Sequence, residues 1–231
     1  MPGDSAAACP AKRSAARPAG RRCACCGQLV LPSGRCPNAW CAAADRALAA
    51  LYWSGRYEAG LRRALLAYKR HGDLRWGPVL AAQLARFVLH HPTWFEEDAV
   101  LCPVPAFTGP GARRTWAPVP GLCAALGRAL GGMWPVEHLL VKRAETPPMG
   151  AMGARHRRAC ARLELSGALE VAPGALATLA GARVLLVDDV CASGHTLLSA
   201  AAVLRRCGAS EVTGLVVARA FLRAGPWAAG P

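Results

Sequence analysis

Asp188 and Asp189 stand side by side at the end of an aliphatic run, Val184-Leu-Leu-Val187. Adjacent carboxylates suit sugar hydroxyls or a divalent cation, and they repel anions. The next residues, Cys191-Ala-Ser-Gly-His-Thr196, are mostly small or hydroxyl-bearing and surround a glycine. A turn of this kind that opens a helix leaves backbone N–H groups facing outward, and that end of a helix favours phosphate. One short segment therefore offers a phosphate cradle beside a polyol or metal clamp. A second chemical group lies far upstream, where Cys23-x-x-Cys26-Gly27 forms a knuckle and Cys36 and Cys41 form a looser pair. Four thiolates from two such pairs can close a tetrahedral structural zinc site, with Cys25 as a competing ligand. Nothing there implies the open position that zinc catalysis needs. The histidines are scattered, and none sits at metal-ligand spacing with another.

These groups need elements to position them. The run from Arg183 to the two aspartates has the continuous aliphatic character of a strand buried on both faces. Leu197 to Arg206 reads as a helix closed by Gly208, and 211–219 as another aliphatic strand. Strand, helix and strand in this order imply a parallel α/β sheet. Upstream, Leu48, Leu51, Tyr52, Leu61, Leu65, Leu66 and Tyr68 follow helical spacing, and Val79–Leu89 reads as a second helix. Lys69 and Arg70, at a helix end, complement the helix dipole, with reach toward a phosphate as the second reading. Residues 99–105 read as a short strand stopped by Pro103 and Pro105. A Gly-, Pro- and Arg-rich loop over 106–118 carries Arg113, Arg114 and Trp116. Trp116 reads first as a loop anchor, and second as a platform for a nucleic-acid base. A helix over 122–130, a strand over 136–141, a basic loop from Lys142 to Arg158 and a turn-rich 169–176 complete the order.

The 231 residues suffice for one good core and a small extra module. The domain order is a disordered leader over 1–21, a zinc ribbon over 22–45, a helical linker segment over 46–95, the α/β domain over 96–221 and a loose tail over 222–231. The net charge of +14 suits an anionic partner, whether a phosphorylated small molecule or nucleic acid. No apolar signal-peptide core and no membrane-length apolar run are present. The eleven cysteines are thus expected reduced, in the cytoplasm, as metal ligands or small buried hydrophobes.

The segment 183–196 resembles the phosphoribosyl-pyrophosphate (PRPP) motif of type I phosphoribosyltransferases. Further matches fall in the order of the ComF (competence protein F) family, which has a four-cysteine zinc ribbon before a phosphoribosyltransferase-like domain. The cysteine group resembles the ribbon. Tyr57 with Lys69-Arg-His-Gly-Asp73 resembles the family's Tyr…Lys-Tyr-x-Gly-Asp helix. Pro103-Val-Pro105 resembles its Pro-Val-Pro strand end, and Lys142-Arg143 with Thr146-Pro147 its Arg-x-x-x-Thr segment. The chain departs from the family pattern at Ala192, Met149 and Cys160, where Thr, Gln and Asn are usual.

The resemblance implies a type I phosphoribosyltransferase-like parallel sheet flanked by helices, preceded by a ribbon with structural zinc on Cys23, Cys26, Cys36 and Cys41. It implies PRPP or a nucleotide bound with Mg²⁺, the 5-phosphate on Cys191, Ala192, Ser193, Gly194, His195 and Thr196, and ribose hydroxyls on Asp188 and Asp189. Transfer of phosphoribosyl to an acceptor is the implied reaction. The alternative is a non-catalytic accessory role in DNA uptake, with single-stranded DNA or competence-machinery proteins as partners.

Overall fold

A computed structural model describes residues 47–112, 116–145 and 167–221, together with Val30, Ser33 and Cys36. Its main sheet has four parallel strands: β1 (Ala50–Arg56), β2 (Ala99–Pro103), β5 (Arg183–Cys191) and β6 (Glu211–Arg219), in the order β1-β6-β5-β2. β3 (Leu140–Lys142) and β4 (Leu169–Val171) form a small antiparallel pair. The helices are α1 (Ala59–His71), α2 (Trp76–Leu89), α3 (Pro118–Ala129), α4 (Leu176–Leu179) and α5 (His195–Arg206).

β5 and β6 are the inner strands, and their sequences follow from that position. Side chains alternate across a strand, so a central strand between two helical layers must be apolar at every position. Leu185 and Val187 join Leu215 and Val217 in a core that takes in Leu65, Leu80, Leu84, Leu122 and Leu126 of α1–α3. Val184 and Leu186 face the opposite way, onto Leu197, Leu198, Ala201 and Leu204 of α5 and onto Leu140 and Leu169 of the small pair. Helices thus flank both faces of a parallel sheet, and the α/β expectation holds.

One expectation fails. The helical segment read over 46–95 begins with a strand: β1 pairs in parallel with β6, Ala50 opposite Thr213 through Arg56 opposite Arg219. Leu48, Leu51 and Tyr52 happen to match helical spacing. Burial on both faces of a sheet edge accounts equally well for an apolar Leu-Tyr-Trp run, and tertiary pairing decides between the two. β1, α1 and α2 therefore share a sheet and a core with the rest of the described chain. The helix expected from Val79 starts at Trp76, and the one expected from Leu197 starts at His195. Val136 makes only an isolated bridge to Leu101, and the strand expected over 136–141 shortens to β3.

The Lys69-Arg-His-Gly-Asp73 segment closes α1. Gly72 takes the left-handed conformation (φ 65°) that ends a helix without Cβ strain. The Asp73 N–H returns to the Ala67 carbonyl at 3.2 Å. The Asp73 carboxylate holds Arg75 through two hydrogen bonds of 2.8 and 2.9 Å.

Candidate functional site

All four main strands run in the same direction, so their C-terminal ends share one edge of the sheet. Ligands of open parallel sheets bind at this edge. It gathers Arg56, Pro103, the aspartates of β5 and Arg219. Tyr57 N–H bonds the Arg219 carbonyl at 3.0 Å, and Val104 N–H bonds that of Val187 at 2.9 Å.

The two aspartates have different surroundings. Asp189 is 1% exposed. The Lys69 ammonium on α1 lies 2.6 Å from each of its carboxylate oxygens. The Val190 N–H also donates to Asp189 Oδ1, at 2.7 Å. Asp188 is half-buried, and its Oδ1 accepts the Asp189 N–H at 2.8 Å. Burial, and then the charge of Asp189, push the Asp188 carboxyl up to about 7, while Lys69 pulls the other way. Burial, followed by the charge of Asp189, also raises the Tyr68 phenol. That phenol donates to the Pro118 carbonyl at 2.8 Å. Lys69 stands in the last turn of α1, as the helix-dipole reading has it, and its ammonium is paired with Asp189.

Beyond the aspartates β5 ends at Cys191, residues 192–194 bend, and α5 opens at His195. Gly194 has φ 84°, a left-handed conformation that costs other residues about 1–2 kcal/mol. As the N-cap residue, Gly194 offers no side chain to cap this helix end. Arg219, 1% exposed at the end of β6, donates through Nη1 to the Cys191 carbonyl at 2.8 Å and to the Ala192 carbonyl. A trans peptide is planar and points its C=O and the following N–H in opposite directions. With both carbonyls turned to Arg219, the N–H groups of Ala192 and Ser193 point away from it. The arginine thereby orients two donors of the loop.

The structure therefore brings Asp188, Asp189 and Cys191–Thr196 together in one strand–loop–helix unit. Cys23, Cys26 and Cys41 lie outside the described residues. Cys36 is half-buried and packs against the core cluster that includes residues of β5 and α5. Arg113, Arg114, Thr146–Met149 and Arg155–Arg158 also lie outside them. Trp116 meets the Tyr68 ring edge-on, with centroids 5.3 Å apart, and belongs to the core around α1–α3. Its anchor reading holds. The sequence offers Lys69 a helix end or a phosphate, and the structure places it on Asp189 instead. Arg219 reads in the sequence only as the end of a strand.

Residues 147–228 match the family model described as phosphoribosyl transferase domain. The match covers about a third of the chain, the part that holds the candidate site. The match takes in β4, α4, β5, α5 and β6, and with them the aspartates, the loop and Arg219, while β1 and β2 complete the sheet from outside it. No curated protein matches the chain. Among solved structures, the chain resembles glutamine PRPP amidotransferase from B. subtilis, complexed with ADP and GMP, at 21% identity and a TM-score of 0.37 over 61% of this chain. The chain spans 25% of that enzyme's length. It also resembles the orotate phosphoribosyltransferase of Mycobacterium tuberculosis H37Rv, at 20% identity and a TM-score of 0.33, covering 84% of this chain and 76% of that one. At such TM-scores these likenesses carry no argument, and the domain match stands by itself. Among the described residues, no helix is long and apolar enough to cross a membrane.

Proposed function

We propose that the chain binds PRPP, or a nucleotide through its 5'-phosphate, at the C-terminal edge of the sheet, and transfers phosphoribosyl to an acceptor. The observation that carries this reading is the strand–loop–helix unit of β5 and α5 inside the domain match: carboxylates, then a left-handed glycine at the N-cap, then the start of a helix. The N–H groups of Ala192 and Ser193 and the start of α5 suit the 5-phosphate. Asp188 suits a ribose hydroxyl, which a carboxylate accepts from without needing a cation. Asp189 stands beside it with Lys69. Transfer at the ribose C1 needs positioning and stabilisation of charge on the departing pyrophosphate more than a strong base.

Mg²⁺ belongs to this reading as a companion of PRPP, where it would neutralise the pyrophosphate. Asp189 does not fit the metal, because Lys69 occupies its carboxylate. Zinc on the N-terminal cysteines belongs to the reading as a structural ion, and the buried thiols of Cys102 and Cys123 suit a reduced cytoplasmic setting. A DNA-uptake role involving single-stranded DNA has less support. With Trp116 packed on Tyr68, it rests on the family resemblance and on basic charge.

Calorimetric titration of PRPP with Mg²⁺ tests the proposal. The wild type should bind, and D188N/D189N should lose about tenfold to a hundredfold or more in affinity, given about 1.5–3 kcal/mol for each hydrogen bond to a charged group. Undiminished binding in the folded double variant would remove the aspartates from the site.

A further inference from the structure

Two carboxylates at a strand end look like a seat for a divalent cation. Such a seat needs oxygen lone pairs that can turn to the metal, and a local charge that attracts it. Asp189 meets neither condition. Its side chain is 1% exposed, Lys69 lies 2.6 Å from both oxygens, and Oδ1 also accepts the Val190 N–H. Asp188 contributes its Oδ1 to the Asp189 N–H. The lysine's single positive charge offsets one of the two carboxylates, and a dication placed beside it would meet an ammonium at contact distance. Among the described residues, no three of His, Cys, Asp and Glu gather as a cation's ligand set. Lys69 itself is 28% exposed, so solvent reaches the lysine's side of the pair.

Building on the proposed function, we infer that Lys69 is the resident counter-cation of the acid pair, and that a bare divalent cation gains a site on Asp188 and Asp189 only when this ammonium is removed. Lys69 is then a positioning residue. It fixes Asp189 against α1 and leaves Asp188 as the carboxylate that faces a ligand. A phosphorylated sugar must bring its own cation on its phosphates, because the protein does not hold one in advance.

The test uses Mn²⁺ alone, with water-proton relaxation as the readout. It is titrated into the full chain as wild type, K69M and K69Q, and into each of these carrying D188N/D189N. Binding at the acid pair is the part that D188N/D189N removes, so Mn²⁺ held elsewhere in the chain subtracts out. The wild type should show no such part up to about 1 mM. K69M and K69Q should gain it, at least about tenfold tighter than any wild-type trace. Acid-pair binding in the wild type would overturn the inference. So would folded Lys69 variants that bind Mn²⁺ no better than wild type. Circular dichroism identifies which variants fold. K69Q keeps a polar end should K69M collapse, and acid-pair binding in the wild type would overturn the inference whichever variants fold. No phosphorylated ligand is present, so this result is independent of PRPP. Failure of PRPP binding alone would sink the proposed function and leave the role of Lys69 standing.

Discussion

Asp188 is the residue at which the charge of the site becomes measurable. Burial and the neighbouring Asp189 raise its carboxyl from 3.8 to about 7, so the fold prefers the protonated form. The sign of the linkage follows. Stability from this preference is fully present below about pH 4, where the unfolded chain is protonated too, and is lost as pH rises through about 7. Asn is neutral at every pH and keeps an oxygen for the Asp189 N–H. Thermal unfolding of D188N at pH 8 should therefore exceed that of the wild type by several degrees, about 2–4 °C for each kcal/mol, and the gap should close toward pH 4. A gap independent of pH, or a less stable variant at pH 8, would contradict the assignment. Gly194 gives a second test at this scale. With φ at 84°, G194A should lower the denaturant midpoint by the equivalent of about 1–2 kcal/mol and weaken binding of a 5'-phosphate. An unchanged midpoint would mean that the loop tolerates a Cβ there. Asp188, Asp189 and Gly194 were legible because they are contiguous. The partnership of Lys69 with Asp189 was not, since it spans 120 positions and local sequence offers only a basic helix end.

At the scale of elements, legibility followed burial. β5 and β6 sit inside the sheet, and their unbroken aliphatic runs leave few alternatives. β1 lies at its edge, where Leu51, Tyr52 and Trp53 fit a helix as well as a strand until β6 is placed beside it. Arg219 shows the same limit. A basic residue closing a strand carries no local sign that it will turn inward and hold the carbonyls of Cys191 and Ala192. The ribbon over 22–45 is legible only as a cysteine pattern, and its test is compositional. Metal analysis of purified protein should return one zinc per chain, and C23S/C26S should lose it. Retention of zinc in that variant would move the ligands to other cysteines. Only Cys36 of the four lies among the described residues, and it packs against the core cluster that includes residues of β5 and α5.

For the whole molecule, a net charge of +14 favours anionic ligands without choosing among them. The proposed choice of a 5'-phosphate draws on the domain match over 147–228 and on where the parallel sheet puts its strand ends. One edge carries the acid pair, the arginine that orients the loop and the opening of α5. A polymer of phosphates would engage basic surface broadly, whereas a single 5'-phosphate would engage this one turn. Backbone amide spectra during titration with PRPP and Mg²⁺ separate the two most directly. The account predicts saturable shifts concentrated at the amides of residues 191–196, with those of Ala192 and Ser193 among the largest. Saturable binding that leaves 191–196 unmoved, or no binding, would contradict it.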